Sequence, residues 1–207
     1  MSKSRLESFS DGVIAVAITL LVLGVAVPKP SGSRTLATAL LHQWPAYAAY
    51  VVSFVTIGII WINHHAVVSR LDRADHAILL LNLLLLLCIG VVPFATSLMA
   101  TYLKEGRGQS LAAGVYAGTF LVLTVVFFTL NWHILFRKVH MLGVELTGAE
   151  RRNIVSRGFT GVLPYAVATA VAPLSAYATL GICAAIAMFY ASPLATGGAR
   201  RQGSSGS

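Results

Sequence analysis

Charge is scarce in this sequence. Asp, Glu, Lys and Arg make up 11% of its 207 residues, where soluble domains carry about 25%. Acids are scarcer still, seven against 15 Lys and Arg. So low a charge content excludes a soluble globular domain, and so few acids leave little for a carboxylate-based hydrolase or proton relay. There are two cysteines, Cys88 and Cys183, each inside an apolar run. They read as small core residues, neither a disulfide framework nor a metal site. The common chemical signatures are missing: no Thr-Val-Gly-Tyr-Gly filter, no arginine ladder, no phosphate-binding glycine loop, no Gly-x-Ser-x-Gly and no His-Glu-x-x-His. No cleavable signal peptide is expected, because the first apolar run is too long and opens with an embedded Asp.

What remains is apolar length. Hydrophobic residues are 57% of the chain, and a membrane helix needs about 20 of them in a row. Six spans are expected, at about Arg5–Val27, Trp44–Val68, His76–Leu103, Leu111–Phe136, Ile154–Val171 and Leu174–Ala191. Pro93-Phe94 is expected to kink the third. A polar connection at about Val139–Asn153 is amphipathic in part and suits a membrane surface. The last two spans are separated by Ala172-Pro173 alone, which leaves a tight hairpin and one kinked segment both open. The expectation is an all-α, polytopic integral membrane protein with one domain over residues 1–202. The Gly/Ser tail, 203–207, reads as a linker or appended scar.

The basic residues test the count. With the N-terminus cytoplasmic, that side holds Lys3, Arg5, Arg70, Arg73, Arg137, Lys138, Arg151, Arg152, Arg157, Arg200 and Arg201, and the other holds Lys29, Arg34, Lys104 and Arg107. Eleven against four obeys the positive-inside rule, with both termini cytoplasmic. The net charge of +8 is thereby assigned to topology and anionic lipid, with no nucleic-acid partner.

Candidate chemistry gathers at the start of the first span. Arg5, Glu7, Ser10 and Asp11 open an apolar helix, and in lipid each needs a partner or water. On a helical wheel, Val16, Leu20, Leu23 and Val27 form a stripe about 120–180° from Asp11, with Thr19 at its edge. Trp61, His64 and His65 end the second span at the same membrane level, and Asn82 lies near the start of the third. A lone Asn in hydrocarbon must be satisfied by a neighbour. These groups are expected to form a hydrogen-bond network among three helices. Adjacent histidines diverge by about 100°, so His64 and His65 are a poor metal pair.

Arg5-x-x-x-Phe9-Ser10-Asp11-Gly12, followed by Ala17-Ile-Thr-Leu-Leu-Val-Leu23, resembles the signature of the transmembrane protein 175 family of potassium channels. Trp61-x-x-His64-His65, Asn82 and Pro93-Phe94 match the rest of that pattern. The likeness covers about the first hundred residues in motif and the remainder in layout. Eukaryotic members carry two such repeats; this chain carries one, like prokaryotic members.

The resemblance implies a homotetramer of six-helix subunits in a prokaryotic plasma membrane, with four copies of the first helix around a central cation path. It implies a constriction of apolar side chains five, nine and twelve positions after the motif Asp: here Val16, Leu20 and Leu23. Thr19 fills the position linked to potassium preference. The motif's Arg5, Ser10 and Asp11 would tie the first helix to Trp61, His64, His65 and Asn82. Val16 departs from the family's usual Ile or Leu, and a smaller side chain would widen the narrowest point. The implied partners are potassium and other monovalent cations, the bilayer and further copies of the chain, with no cofactor and no structural metal. Apolar rings of this kind gate by dewetting. Two competing readings are a secondary or proton-coupled transporter using Asp11 with His64 and His65, and an intramembrane enzyme with the two histidines as metal ligands.

Overall fold

The fold is described from a computed structural model covering residues 3–28 and 35–192. Lys29, Arg34, Arg200, Arg201 and the 203–207 tail, all used above, lie outside the described residues. Among the described residues seven α-helices follow one another: α1 (Lys3–Leu20), α2 (Leu36–His42), α3 (Trp44–Val68), α4 (His76–Tyr102), α5 (Gln109–Trp132), α6 (Gly148–Val171) and α7 (Ala176–Ala191). A 3-10 turn over Leu21–Gly24 extends α1, and a π turn over His133–Arg137 extends α5. Helices are what an apolar chain must form here, because in lipid each backbone N–H and C=O has to be satisfied within the segment. Five of these helices are long and apolar enough to cross a membrane; α7 is apolar but shorter. This is an integral membrane protein.

The helices pack as an antiparallel bundle whose two ends can be told apart by contacts. At one end the start of α1 meets the end of α3, through Lys3 Nζ donating to the Ser69 carbonyl. At the other end Lys104 Nζ donates to the His42 carbonyl at 2.5 Å and sits 5.5 Å over the Trp44 ring. Trp44 stacks on Tyr177 at 6.1 Å. The far end of α1 also packs on α4, where a Cβ on Gly24 would stand 3.5 Å from Ser97. Between the ends the core is close-packed around Leu85, Ile89, Met99, Tyr116, Phe120 and Leu123, all fully buried. Phe120 meets Tyr116 edge-on at 5.0 Å and stacks on Tyr165 at 5.6 Å, which fixes α6 against α5.

Several expectations are revised by the fold. The first span does not stay α-helical to Val27: it tightens at Leu21 and ends at Gly24. The wheel therefore fails beyond Leu20. A 3-10 turn has about 3.0 residues per turn, so Leu20 and Leu23 come into line and Val27 leaves the helix altogether. The fifth span begins at Gly148 rather than Ile154, because Thr147 and Glu150 form a reciprocal capping box there. α6 and α7 form a hairpin: Thr179 of α7 donates to the Ala168 carbonyl of α6 at 3.3 Å. α2 was not foreseen, although Thr35 caps it by accepting from the Thr38 N–H.

The polar connection pairs with the loop between α3 and α4. Asp72 N–H donates to the Met141 carbonyl at 2.8 Å and Gly143 N–H to the Arg70 carbonyl at 2.9 Å, around an isolated bridge between Leu71 and Leu142. Lys138 and Asp75 close the same clasp as an ion pair at 2.8 Å. Asp75 also caps α4 by accepting from the Ile78 N–H at 2.9 Å. Its carboxyl is held below the usual range, first by the Lys138 hydrogen bond and then by the Ile78 N–H.

A depressed carboxylate contributes stability above its unfolded pKa, about 3.9, and loses it as the pH falls through the lower folded value. Asp75→Ala should cost about 1 kcal/mol through the lost cap, and Asp75→Asn less because Asn also caps. Thermal unfolding in detergent should show that order at pH 7 and a shrinking wild-type advantage below about pH 4.

Candidate functional site

The apolar spacing of α1 gives it two faces. Leu6, Ser10, Ile14, Ala17 and Leu21 recur every three or four residues and are buried against α3 and α4. The opposite arc packs on nothing among the described residues. Val16 is 58% exposed, Leu20 44% and Leu23 75%. Thr19 lies on the same open arc, its hydroxyl donating to the Val16 carbonyl at 2.8 Å. That bond uses the one hydroxyl proton and leaves oxygen lone pairs free to accept.

One buried residue on the packed face is polar. Ser10 is fully buried, as nearly are His64 (2% exposed) and Asn82 (1%). Asn82 Nδ2 donates to Ser10 Oγ at 3.0 Å. Its Oδ1 lies 2.8 Å from His64 Nε2. With the amide oxygen turned to the imidazole, His64 carries its proton on Nε2. One amide thus joins α1, α3 and α4 in a dry layer, where a lost partner leaves its neighbours without water to replace it.

Asp11 belongs to a separate, more exposed contact. Its Oδ1 accepts from Trp61 Nε1 at 2.8 Å. His65 lies beside that indole, with ring centroids 6.2 Å apart. The expected single network is therefore two: Ser10–Asn82–His64 inside and Asp11–Trp61–His65 at the edge. Adjacent positions on a helix diverge by about 100°, so neither Ser10 and Asp11 nor His64 and His65 can serve the same site.

Arg5 joins neither. It is exposed, with no hydrogen-bond or ion-pair partner among the described residues. Helical phase explains this: Leu6 faces the core, and one residue earlier Arg5 is turned about 100° onto the open arc. Lys3 makes the cross-helix contact instead, to Ser69. Among the described residues no group of three His, Cys, Asp or Glu side chains is placed to hold a metal ion.

A second polar layer escaped the sequence reading. Ser53 Oγ lies 2.8 Å from Thr96 Oγ1 and 3.1 Å from the Tyr116 hydroxyl, joining α3, α4 and α5. The only signal was hydroxyls within apolar spans. Such groups also satisfy themselves on the preceding turn, as Thr96 does on the Val92 carbonyl, so the sequence does not say which of them pair across helices. This layer stiffens the surface on which α1 docks.

Asn82→Leu should strand His64 and Ser10 and cost about 1–3 kcal/mol. Trp61→Phe removes one donor at a half-open site and should cost about 0.5–1.5 kcal/mol. Unfolding of the two variants in one detergent checks the order; equal losses would place the exposed contact on a par with the buried chain.

Comparison with known proteins adds an independent line. The profile of the family described as "Endosomal/lysosomal potassium channel TMEM175" matches residues 5–93. A potassium channel of Streptomyces collinus is 43% identical over 186 residues, 90% of this chain and 90% of that protein. A crystal structure of a lysosomal potassium-selective channel TMEM175 homologue from Chamaesiphon minutus superimposes with a TM-score of 0.81 at 38% identity, over 91% of this chain and 96% of that one. The chicken protein named endosomal/lysosomal proton channel TMEM175 is 38% identical over 117 residues, 53% of this chain and 23% of that longer protein. The matched segment contains α1 from Arg5 on, both polar contacts and Asn82, and on this likeness in sequence and structure the chain belongs to the TMEM175 family.

Proposed function

We propose that this chain is the subunit of a homotetrameric, potassium-permeable cation channel, with residues 1–202 as one six-helix channel domain. α1 lines the central pathway, and rings of Val16, Leu20 and Leu23 form its apolar constriction. The observation that carries this reading is the composition of the open arc on α1. It is apolar over Val16, Leu20 and Leu23, yet it also holds Thr19 and Arg5. A lipid-facing surface pays for an arginine and a threonine, whereas a pathway filled with water at its mouth accommodates both. The names of the bacterial relatives, potassium channels, agree with it. The family is one of ion channels, and no enzymatic activity is proposed.

The residues divide the work. Ser10, Asn82 and His64 fix the depth and rotation of α1 against α3 and α4. Leu20 and Leu23, brought into register by the 3-10 turn, stack along the pathway and exclude water when the four helices are close. Outward movement of α1 widens the rings and wets them. Thr19, with lone pairs to offer, gives a partly dehydrated cation an oxygen ligand beside the constriction. Val16 is the smallest of the three apolar residues, so the ring it forms is the most easily wetted. Both termini lie on the cytoplasmic side of a prokaryotic plasma membrane, in keeping with the eleven basic residues assigned to that side.

Flux from purified protein in liposomes tests this. A passive current reversing at the potassium equilibrium potential is expected. Val16→Ala and Leu23→Ala should raise the leak several-fold and lower preference for potassium over sodium. Leu21→Ala, on the packed face, should instead cost about 2–5 kcal/mol of stability and leave preference intact. Unchanged currents in Val16→Ala and Leu23→Ala remove those residues from the pathway. The proton-channel name of the vertebrate relatives favours one second reading, a proton path past Asp11 and the histidines. Obligatory, saturating exchange of protons for potassium in the same liposomes would replace the channel with a proton-coupled transporter.

A further inference from the structure

Away from α1, a cleft of about 330 Å³ opens between α3, α5, α6 and α7. That volume lies in the range of small-molecule sites, about 300–1,000 Å³. Its floor is apolar, with Ile59, Phe127 and Ile186; hydroxyls of Thr56, Thr124, Tyr165 and Tyr190 line its sides, and Asn63, Arg70 and Asn131 stand at one end. Asn63, Arg70 and Asn131 belong to the C-terminal parts of α3 and α5 or the loop just beyond. They therefore lie at the end of the bundle where Lys3 meets Ser69, the end assigned to the cytoplasm above.

Two of these side chains have polar atoms left unpaired among the described residues. Asn131 is 3% exposed. Its Nδ2 donates to the Phe127 carbonyl at 3.0 Å, and its Oδ1 is a buried acceptor with no hydrogen bond. Since a carbonyl accepts the other end of the amide, the oxygen is the atom left over, and it calls for a donor. Arg70 is anchored through its backbone carbonyl, which accepts from Gly143, while its guanidinium makes no ion pair among the described residues. Glu150 makes no ion pair with it, and the Oε2 of that carboxylate accepts from the N–H and hydroxyl of Thr147.

Two glycines, Gly158 and Gly161, form part of one wall. A Cβ on Gly161 would come within 3.2 Å of Thr124 and 3.6 Å of the Tyr190 hydroxyl, and one on Gly158 within 3.8 Å of Phe128. The close approach of α6 to α5 at these glycines shapes one wall of the cleft while leaving its interior empty of side chains.

We propose that this cleft is a binding site for one anionic membrane lipid with a hydroxyl-bearing head group. The phosphate pairs with Arg70, a head-group hydroxyl donates to Asn131 Oδ1, and part of an acyl chain lies along Ile59, Phe127 and Ile186. The chemistry selects this occupant. An apolar floor beneath an unpaired cation, at the membrane end richest in basic residues, matches the layout of an anionic lipid. The orphaned acceptor adds a preference for a head group that can donate. A lipid held between α3 and α6 would brace α3, on which α1 docks through His64.

Native mass spectrometry on the full-length protein, incubated with phosphatidylglycerol or with phosphatidylcholine of the same chains, tests the site. Phosphatidylglycerol adducts should survive at higher activation energy and at several-fold lower lipid concentration than phosphatidylcholine adducts. Arg70→Gln should weaken phosphatidylglycerol about fivefold, the effect of one basic residue near a membrane surface. Asn131→Leu should weaken phosphatidylglycerol more than phosphatidic acid, which has no head-group hydroxyl. Ala66→Trp, filling the cleft from its exposed rim on α3, should abolish the preferential adduct. The same spectra report whether each variant keeps its assembly. Equal retention of the two lipids by the wild type overturns the proposal. So does unchanged phosphatidylglycerol binding in Arg70→Gln and Ala66→Trp, and so does displacement of the lipid by millimolar inorganic phosphate, which would mark a simple anion site.

Discussion

A buried polar group in a membrane bundle has no water to fall back on, and the amide of Asn82 is where this chain meets that constraint. Asn82 sits in a run of leucines on α4, and its two ends are taken by Ser10 of α1 and His64 of α3. Lipid tails are as apolar as leucine side chains, so helix association gains little from hydrophobicity and depends on packing and on bonds of this kind. α1 packs against α3 and α4 through a narrow apolar face of Leu6, Ile14, Ala17 and Leu21. The Ser10 bond sets that face in rotation and in height. With it set, the positions of Val16, Thr19 and Leu20 on the far side follow from helical geometry.

The two polar contacts at this level have different characters. The Ser10–Asn82–His64 chain is dry and joins three helices. The Asp11–Trp61 bond is exposed, joins two, and has His65 beside it. An ionised aspartate is easier to keep where part of it remains wet, and a neutral serine is easier to bury. Neighbouring residues of one motif are thus divided between the two environments, one for position and one for charge. The layer of Ser53, Thr96 and Tyr116 farther along the bundle repeats the dry solution with hydroxyls alone.

Beyond the first four helices the chain holds together by other means. α6 rests on aromatic stacking through Phe120 and Tyr165, and α6 and α7 close a hairpin. The loops at the ends of α3 and α5 pair through backbone bonds around Leu71 and Leu142, reinforced by Asp75 and Lys138. These contacts tie the outer helices to α3 and α4, the same two helices that carry the partners of α1.

How much of this was legible in the sequence depends on the range of the interaction. Hydropathy located the long apolar spans, since a run of about 20 apolar residues has no soluble use. The motif around Ser10 and Asp11, with Trp61, His64 and Asn82, marked the polar contacts, because a polar residue in an apolar run must find a partner. The capping box at Thr147 and Glu150 was equally local and could have been read. Pairing was not legible. Nothing in the one-dimensional pattern says that Asp11 takes Trp61 while Asn82 takes both Ser10 and His64, or that Arg5 is left on the open arc; those choices depend on the rotation of three helices about their axes. Nor could a uniform wheel foresee the 3-10 turn at Leu21, where α1 closes on α4 beside Gly24 and Ser97. By itself the sequence determined that this protein lives in a membrane, how many apolar segments it has and which side chains need partners. Only the tertiary structure decided which partners they have and which face of α1 is left without one, because in lipid the energy of a polar group depends on what stands opposite it.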